Sequence, residues 1–129
     1  MATSAIDQIT GSGLAASVGL GSIDDWIAHP DGLSALLFSG RAKHRREGHD
    51  VAVALRELAR QYGGLLRVGV VEDDTENRLM RRFGVIALPS VVLFVGGEPL
   101  ERLPRVRDWG DYAAAARRYL GPPPSRTAV

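Results

Sequence analysis

The chain has 129 residues, 45% of them apolar and 24% charged, with 16 basic side chains against 15 acidic and a net charge of +1. That balance fits one globular domain and supplies no overall field for nucleic acid or an anionic membrane surface, and no apolar stretch reaches the roughly 20 residues of a membrane span. Cysteine is absent, which excludes a disulfide framework, a Cys-x-x-Cys redox pair, a cysteine-ligated zinc site and a thiol nucleophile. Residues 1–20 lack the basic and apolar regions of a secretory signal. The Arg-Arg pairs (Arg45-Arg46, Arg81-Arg82, Arg117-Arg118) all lie inside the chain, so the expected location is cytoplasmic.

Residues 1–21 are rich in Gly, Ser and Ala, and suggest a loose helical turn and a short strand over 14–18. Ser22-Ile23-Asp24-Asp25 has the form of a capping box before Trp26 and Ile27, and His29-Pro30-Asp31-Gly32 stops that helix. Residues 33–38 form an apolar run read as a buried strand. Residues 40–48 read as a basic loop. From Asp50, a good N-cap, the period changes: Val51, Ala54, Leu55, Leu58, Ala59 and Tyr62 make the stripe of an amphipathic helix that Gly63-Gly64 ends.

A third strand follows over 66–71 and a shorter helix to Phe83, with Gly84 as its stop. Residues 90–95 are nearly all apolar and half β-branched, as expected of a central strand buried on both faces. Gly96-Gly97 suits a two-residue hairpin, and Pro99 places the returning strand at an edge. The last helix starts at Asp108, with Trp109, Tyr112, Ala113, Ala116 and Leu120 on one face expected to pack on the sheet. The order β-α-β-α-β-α-β-β-α implies a mixed α/β sheet with helices on both faces.

Phe83-Gly84-Val85-Ile86-Ala87-Leu88-Pro89-Ser90-Val91-Val92-Leu93-Phe94, with Gly96-Gly97-Glu98 after it, resembles the second half of thioredoxins. The resemblance implies a thioredoxin-like fold, a cis Leu88–Pro89 bond and a client groove beside Pro89. It departs where the redox motif belongs. There the chain reads Ser39-Gly40-Arg41-Ala42-Lys43-His44-Arg45-Arg46-Glu47-Gly48-His49-Asp50, with no redox motif. The implied organisation is a partly ordered N-terminal segment at 1–21, a thioredoxin-like domain at 22–121 and a disordered tail at 122–129.

Arg46-Glu47 with Asp50-Val51-Ala52-Val53, Leu55, Glu57 and Leu58, and then Val106-Arg107-Asp108-Trp109-Gly110-Asp111-Tyr112, resemble the HyaE/HoxO/HupG family. That resemblance implies a non-catalytic chaperone for membrane-bound [NiFe] hydrogenase maturation, with no cofactor of its own. Its partners would be the hydrogenase small-subunit precursor with its twin-arginine signal peptide, and other hydrogenase accessory proteins. The alternative is a generic redox-inactive thioredoxin-like interaction module with another client. A third class, an enzyme with a non-thiol nucleophile, finds no Ser-His-carboxylate arrangement in the sequence.

Leu88, Pro89 and Val106 are the candidate groove, rimmed by Arg41, Lys43, Arg45 and Arg46. Such a charge run is also what a solvated face carries. A basic rim would repel the arginines of a signal peptide. Glu57, Glu72, Asp73 and Asp74 are therefore the candidate acidic patch for them, although Asp73 and Asp74 also suit N-caps of the following helix. These adjacent carboxylates lack calcium-site spacing. His44 and His49 lack further ligands, so no metal site is expected.

Overall fold

The computed structural model describes residues 15–40 and 45–124. The helical turn expected near the N-terminus, Leu14, and residues 125–129 of the tail expected at 122–129 lie outside them, as do Arg41, Lys43, His44 and the side chain of Arg45. The elements are β1 (Ala15–Val18), α1 (Ile23–Ile27), β2 (Leu33–Phe38), α2 (Arg45–Tyr62), β3 (Leu66–Val71), α3 (Glu76–Phe83), β4 (Ser90–Val95), β5 (Glu98–Pro104) and α4 (Trp109–Leu120). The order read from the sequence is the order observed.

The sheet runs β1-β3-β2-β4-β5. β1 and β2 flank β3 in parallel, whereas β4 is antiparallel to both β2 and β5. The Val18↔Val71, Phe38↔Ser90 and Ser90↔Pro104 pairs therefore lie at one end of the sheet. The loops after β1, β2, β3 and β5, and the loop before β4, all meet there. The hairpin turn uses Gly96 and Gly97 at φ 55° and 89°, the left-handed pair a tight type I′ turn needs.

Alternation along the central strands divides the core between two faces. Leu33, Ala35, Leu37, Val68, Val70, Val91 and Leu93 pack with α2 and α4. Leu36, Phe38, Val71, Val92 and Phe94 pack with α1 and α3. On this second face Trp26 of α1 lies over β3. Its ring is 4.8 Å from the Arg67 guanidinium carbon, and an added Cβ on Gly69 would sit 2.6 Å from its Cζ2. Gly69 is thus the gap in β3 that admits the indole.

Three local expectations are corrected. α2 begins at Arg45, so residues 45–48 are helix and not loop, and Asp50 lies inside the helix rather than capping it. Gly48 is buried there and extends the stripe of Val51 and Ala52 by one turn; packing outweighs the roughly 1 kcal/mol that Gly costs a helix. Ser22 starts α1, but its hydroxyl accepts the Gly19 amide hydrogen instead of capping the helix. Asp73 and Asp74 sit in a 3-10 turn, and Thr75 takes the N-cap position of α3, its Oγ1 donating to the Glu72 carbonyl at 3.0 Å.

Candidate functional site

The sheet end where the loops converge is organised around Pro89. The Leu88–Pro89 bond is cis. Pro89 is buried and Leu88 half-buried. The Pro89 carbonyl accepts the Arg105 amide hydrogen at 2.7 Å, which ties the loop after β5 to the loop before β4. Val106, the next residue, is exposed. The structure thus brings the expected trio Leu88, Pro89 and Val106 to one place, with apolar surface supplied by Leu88 and Val106.

Loop 84–89 presents a further residue. Gly84, at φ 68°, ends α3, and the Val85 amide donates back to the Met80 carbonyl at 2.8 Å. Val85 is buried, the Ser90 hydroxyl donates to the Ala87 carbonyl, and Arg102 Nε donates to the Phe83 carbonyl. Between these anchors Ile86 is 94% exposed. A well-anchored loop therefore holds an isoleucine in solvent, which gives up about 1.5–3 kcal/mol of burial. On the other side of Pro89, Ser39 is fully buried and its hydroxyl has no partner among the described residues. The Gly40 amide donates to the Glu76 carboxylate at 3.1 Å.

The acidic candidates separate. The Glu72 amide donates to the Val18 carbonyl at 2.8 Å, and its carboxylate lies over Gly19, accepting from the Ser17 hydroxyl at 3.4 Å. Glu72, Asp73 and Asp74 are exposed on the β1 side of the sheet end. Glu57 is elsewhere, on the outer side of α2, where with Asp50, Val53, Ala54, Gln61, Arg107 and Trp109 it lines an open groove. The structure does not join it to the other three. Arg46 is exposed in the first turn of α2.

Trp109 is also corrected. It is 41% exposed and lines that groove, while Tyr112, Ala115 and Ala116 carry the burial of α4. Trp109 is the first residue of α4, and the burial of that helix begins one turn later at Tyr112. Burial pushes the Tyr112 phenol up, and its neutral hydroxyl accepts the Arg107 amide hydrogen at 3.1 Å. That bond places Arg107 beside the groove. Inside the first core face the described residues also enclose a void of about 10 Å³, too small for a ligand.

Residues 7–112 match the family model described as Hydrogenase-1 expression protein HyaE. The chain belongs to the HyaE family. The hydrogenase expression/formation protein HupG of Rhizobium leguminosarum bv. viciae is 37% identical over 105 residues, 78% of this chain and 70% of that protein. The hydrogenase expression/formation protein HoxO of Cupriavidus necator is 36% identical over 123 residues, 94% of this chain and 76% of that protein. Hydrogenase maturation is accordingly the process in which this HyaE-family chain takes part.

Solved thioredoxins show the fold. One from Halobacterium salinarum NRC-1 matches with a TM-score of 0.68 at 21% identity, covering 81% of this chain and 89% of that one. Mitochondrial thioredoxin 3 of Saccharomyces cerevisiae gives 0.67 at 16% identity, covering 79% and 92%. The HyaE-family chain has the thioredoxin-like fold without its thiols.

No helix among the described residues is long and apolar enough to cross a membrane. Nor does any group of three or more His, Asp or Glu among them stand where it could hold a metal ion. Sequence reasoning missed Ile86 and Val53. Val53 was legible as an apolar residue off the α2 stripe. Ile86 was not, because Val85-Ile86-Ala87 gives no sign of which residue turns outward.

Proposed function

We propose that this chain is a non-catalytic chaperone of [NiFe] hydrogenase maturation that binds the small-subunit precursor, with its twin-arginine signal peptide, in the cytoplasm before export. One observation carries the reading: the loop leading to Pro89 displays Ile86 to solvent, in a fold whose redox residues are gone. A thioredoxin-like surface without thiols can hold a client but cannot exchange disulfides with it.

In this reading an apolar client segment covers Ile86, Leu88 and Val106 beside the buried Pro89, and Arg41, Lys43, Arg45 and Arg46 rim the contact. The arginines of the signal peptide go to carboxylates away from that rim, Glu72, Asp73 and Asp74 being one set. Preformed apolar contact supplies affinity, and charge placement supplies selection.

Co-purification with the precursor, with and without its signal peptide, tests this. Capture that is lost on removing the peptide supports the reading. Retained capture moves the contact to the subunit body, and no capture of either form refutes it. Reversing the charges of Glu72, Asp73 and Asp74 should weaken capture; unchanged affinity removes that set from the site.

A further inference from the structure

We infer that the groove between α2 and the start of α4 docks a short client segment that carries an apolar side chain between two cations. The inference deepens the chaperone reading, and rests on it only for the identity of the client. Val53 and Trp109, 47% and 41% exposed, form an apolar floor with half-buried Ala54. Val53 lies off the buried stripe of α2, so the core does not account for an apolar residue there.

Charge complementarity selects the occupant. Asp50 and Glu57 border the floor seven residues apart. Two helical turns put them on one side of α2, about 10 Å apart along its axis. Among the described residues neither carboxylate takes part in an ion pair or a side-chain hydrogen bond. Arg107, the basic residue of the lining, has its Nε committed to the Pro104 carbonyl at 3.1 Å. The groove therefore sets two carboxylates against the one guanidinium of Arg107, a net negative lining around an apolar centre, and Trp109 adds an exposed ring face for a guanidinium.

An extended segment rising about 3.3 Å per residue meets both carboxylates with cations two to four residues apart and an apolar side chain between them. An acidic or purely apolar segment would leave Asp50 and Glu57 repelled or desolvated without a partner.

The test uses the full chain and a capped nine-residue peptide with one leucine midway between two arginines four positions apart, the rest Ser and Ala. Its citrulline counterpart is the neutral control. Titration calorimetry should show binding that weakens at least about tenfold for the citrulline peptide and for Trp109→Ala. Asp50→Asn and Glu57→Gln should each weaken it several-fold, and added salt should weaken the wild type most. Trp109→Phe, which keeps an aromatic face, should retain part of the affinity, separating loss of contact from loss of fold.

Equal affinity across these variants, or for the citrulline peptide, overturns the inference. So does concentration-dependent dimerisation that Trp109→Ala abolishes, since the occupant would then be a second copy. Precursor capture that survives Asp50→Asn/Glu57→Gln also overturns the groove while leaving the chaperone reading intact. The expected peptide pattern without precursor capture does the reverse.

Discussion

The amide of Arg105 donates to the carbonyl of Pro89 at 2.7 Å while Arg105 itself sits at φ 63°, in the left-handed region. The bond extends the β4–β5 pairing by one step past Ser90↔Pro104 and carries the chain across the sheet end toward α4. The orientation of Val106 and Arg107 therefore depends on a backbone conformation that costs a non-glycine residue about 1–2 kcal/mol.

Substitution at Arg105 should follow backbone preference and not side-chain chemistry, because the side chain is exposed. Arg105→Gly should be at least as stable as wild type. Arg105→Val should lose about 1–2 kcal/mol, since β-branched residues tolerate positive φ worst. Urea denaturation of the two variants checks this; equal stabilities would refute the backbone account.

Gly69→Ala should destabilise the chain by about 1–3 kcal/mol. The added methyl meets Trp26 Cζ2 at 2.6 Å and Val18 Cγ2 at 2.9 Å. The Arg67 guanidinium also lies 4.8 Å from the indole centroid, and it donates to the Trp26 carbonyl at 2.9 Å and to Ser34 Oγ at 3.1 Å. A drop in Tm with a shift in Trp26 fluorescence is the expected result.

Arg67→Leu should cost about 1–3 kcal/mol, because it leaves the buried Ser34 hydroxyl and the Trp26 carbonyl without their donor. Adding Ser34→Ala should recover part of that loss, and a double-mutant cycle by thermal denaturation reads the coupling.

Glu101 accepts Arg118 Nη2 at both oxygens, at 2.9 and 2.6 Å, and the Tyr119 hydroxyl at 3.0 Å. The hydrogen bond from Arg118 is the main cause holding its carboxyl below the usual glutamate range. A depressed pKa stabilises the fold above the unfolded pKa, and that contribution disappears as pH falls through the folded one. Wild type should thus exceed Glu101→Gln by a small, salt-sensitive margin at neutral pH. The margin should vanish in acid, below the ordinary glutamate titration, when Tm is followed against pH.

Ile86→Asp should leave stability within about 0.5 kcal/mol, since the side chain is almost wholly in solvent. The same variant should lose precursor capture in a pull-down. A folded variant that still captures the precursor would remove Ile86 from the client surface.

Much of the architecture was legible because it rests on local signals. The apolar runs at 33–38 and 90–95, the Gly96-Gly97 turn and Pro99 on the edge strand each state a backbone requirement within a few residues. The start of α2 was misread because Gly48 is a poor helix former that becomes favourable only against the core. Ser22 was misread because its hydroxyl has two nearby backbone options, the helix and Gly19, and only the loop geometry chooses between them.

The candidate site divides in the same way. The sequence by itself determined that thiol chemistry is impossible, that the Leu88-Pro89 step ends a loop at a buried strand, and that acidic and basic residues cluster apart. Only the tertiary structure decided that Glu57 lies away from Glu72, Asp73 and Asp74, that Ile86 faces solvent, and that Trp109 borders a groove. Those outcomes depend on how helices and loops meet across the sheet, distances that no local pattern encodes. Composition determines which chemistry is available, and packing decides which of those residues share a surface.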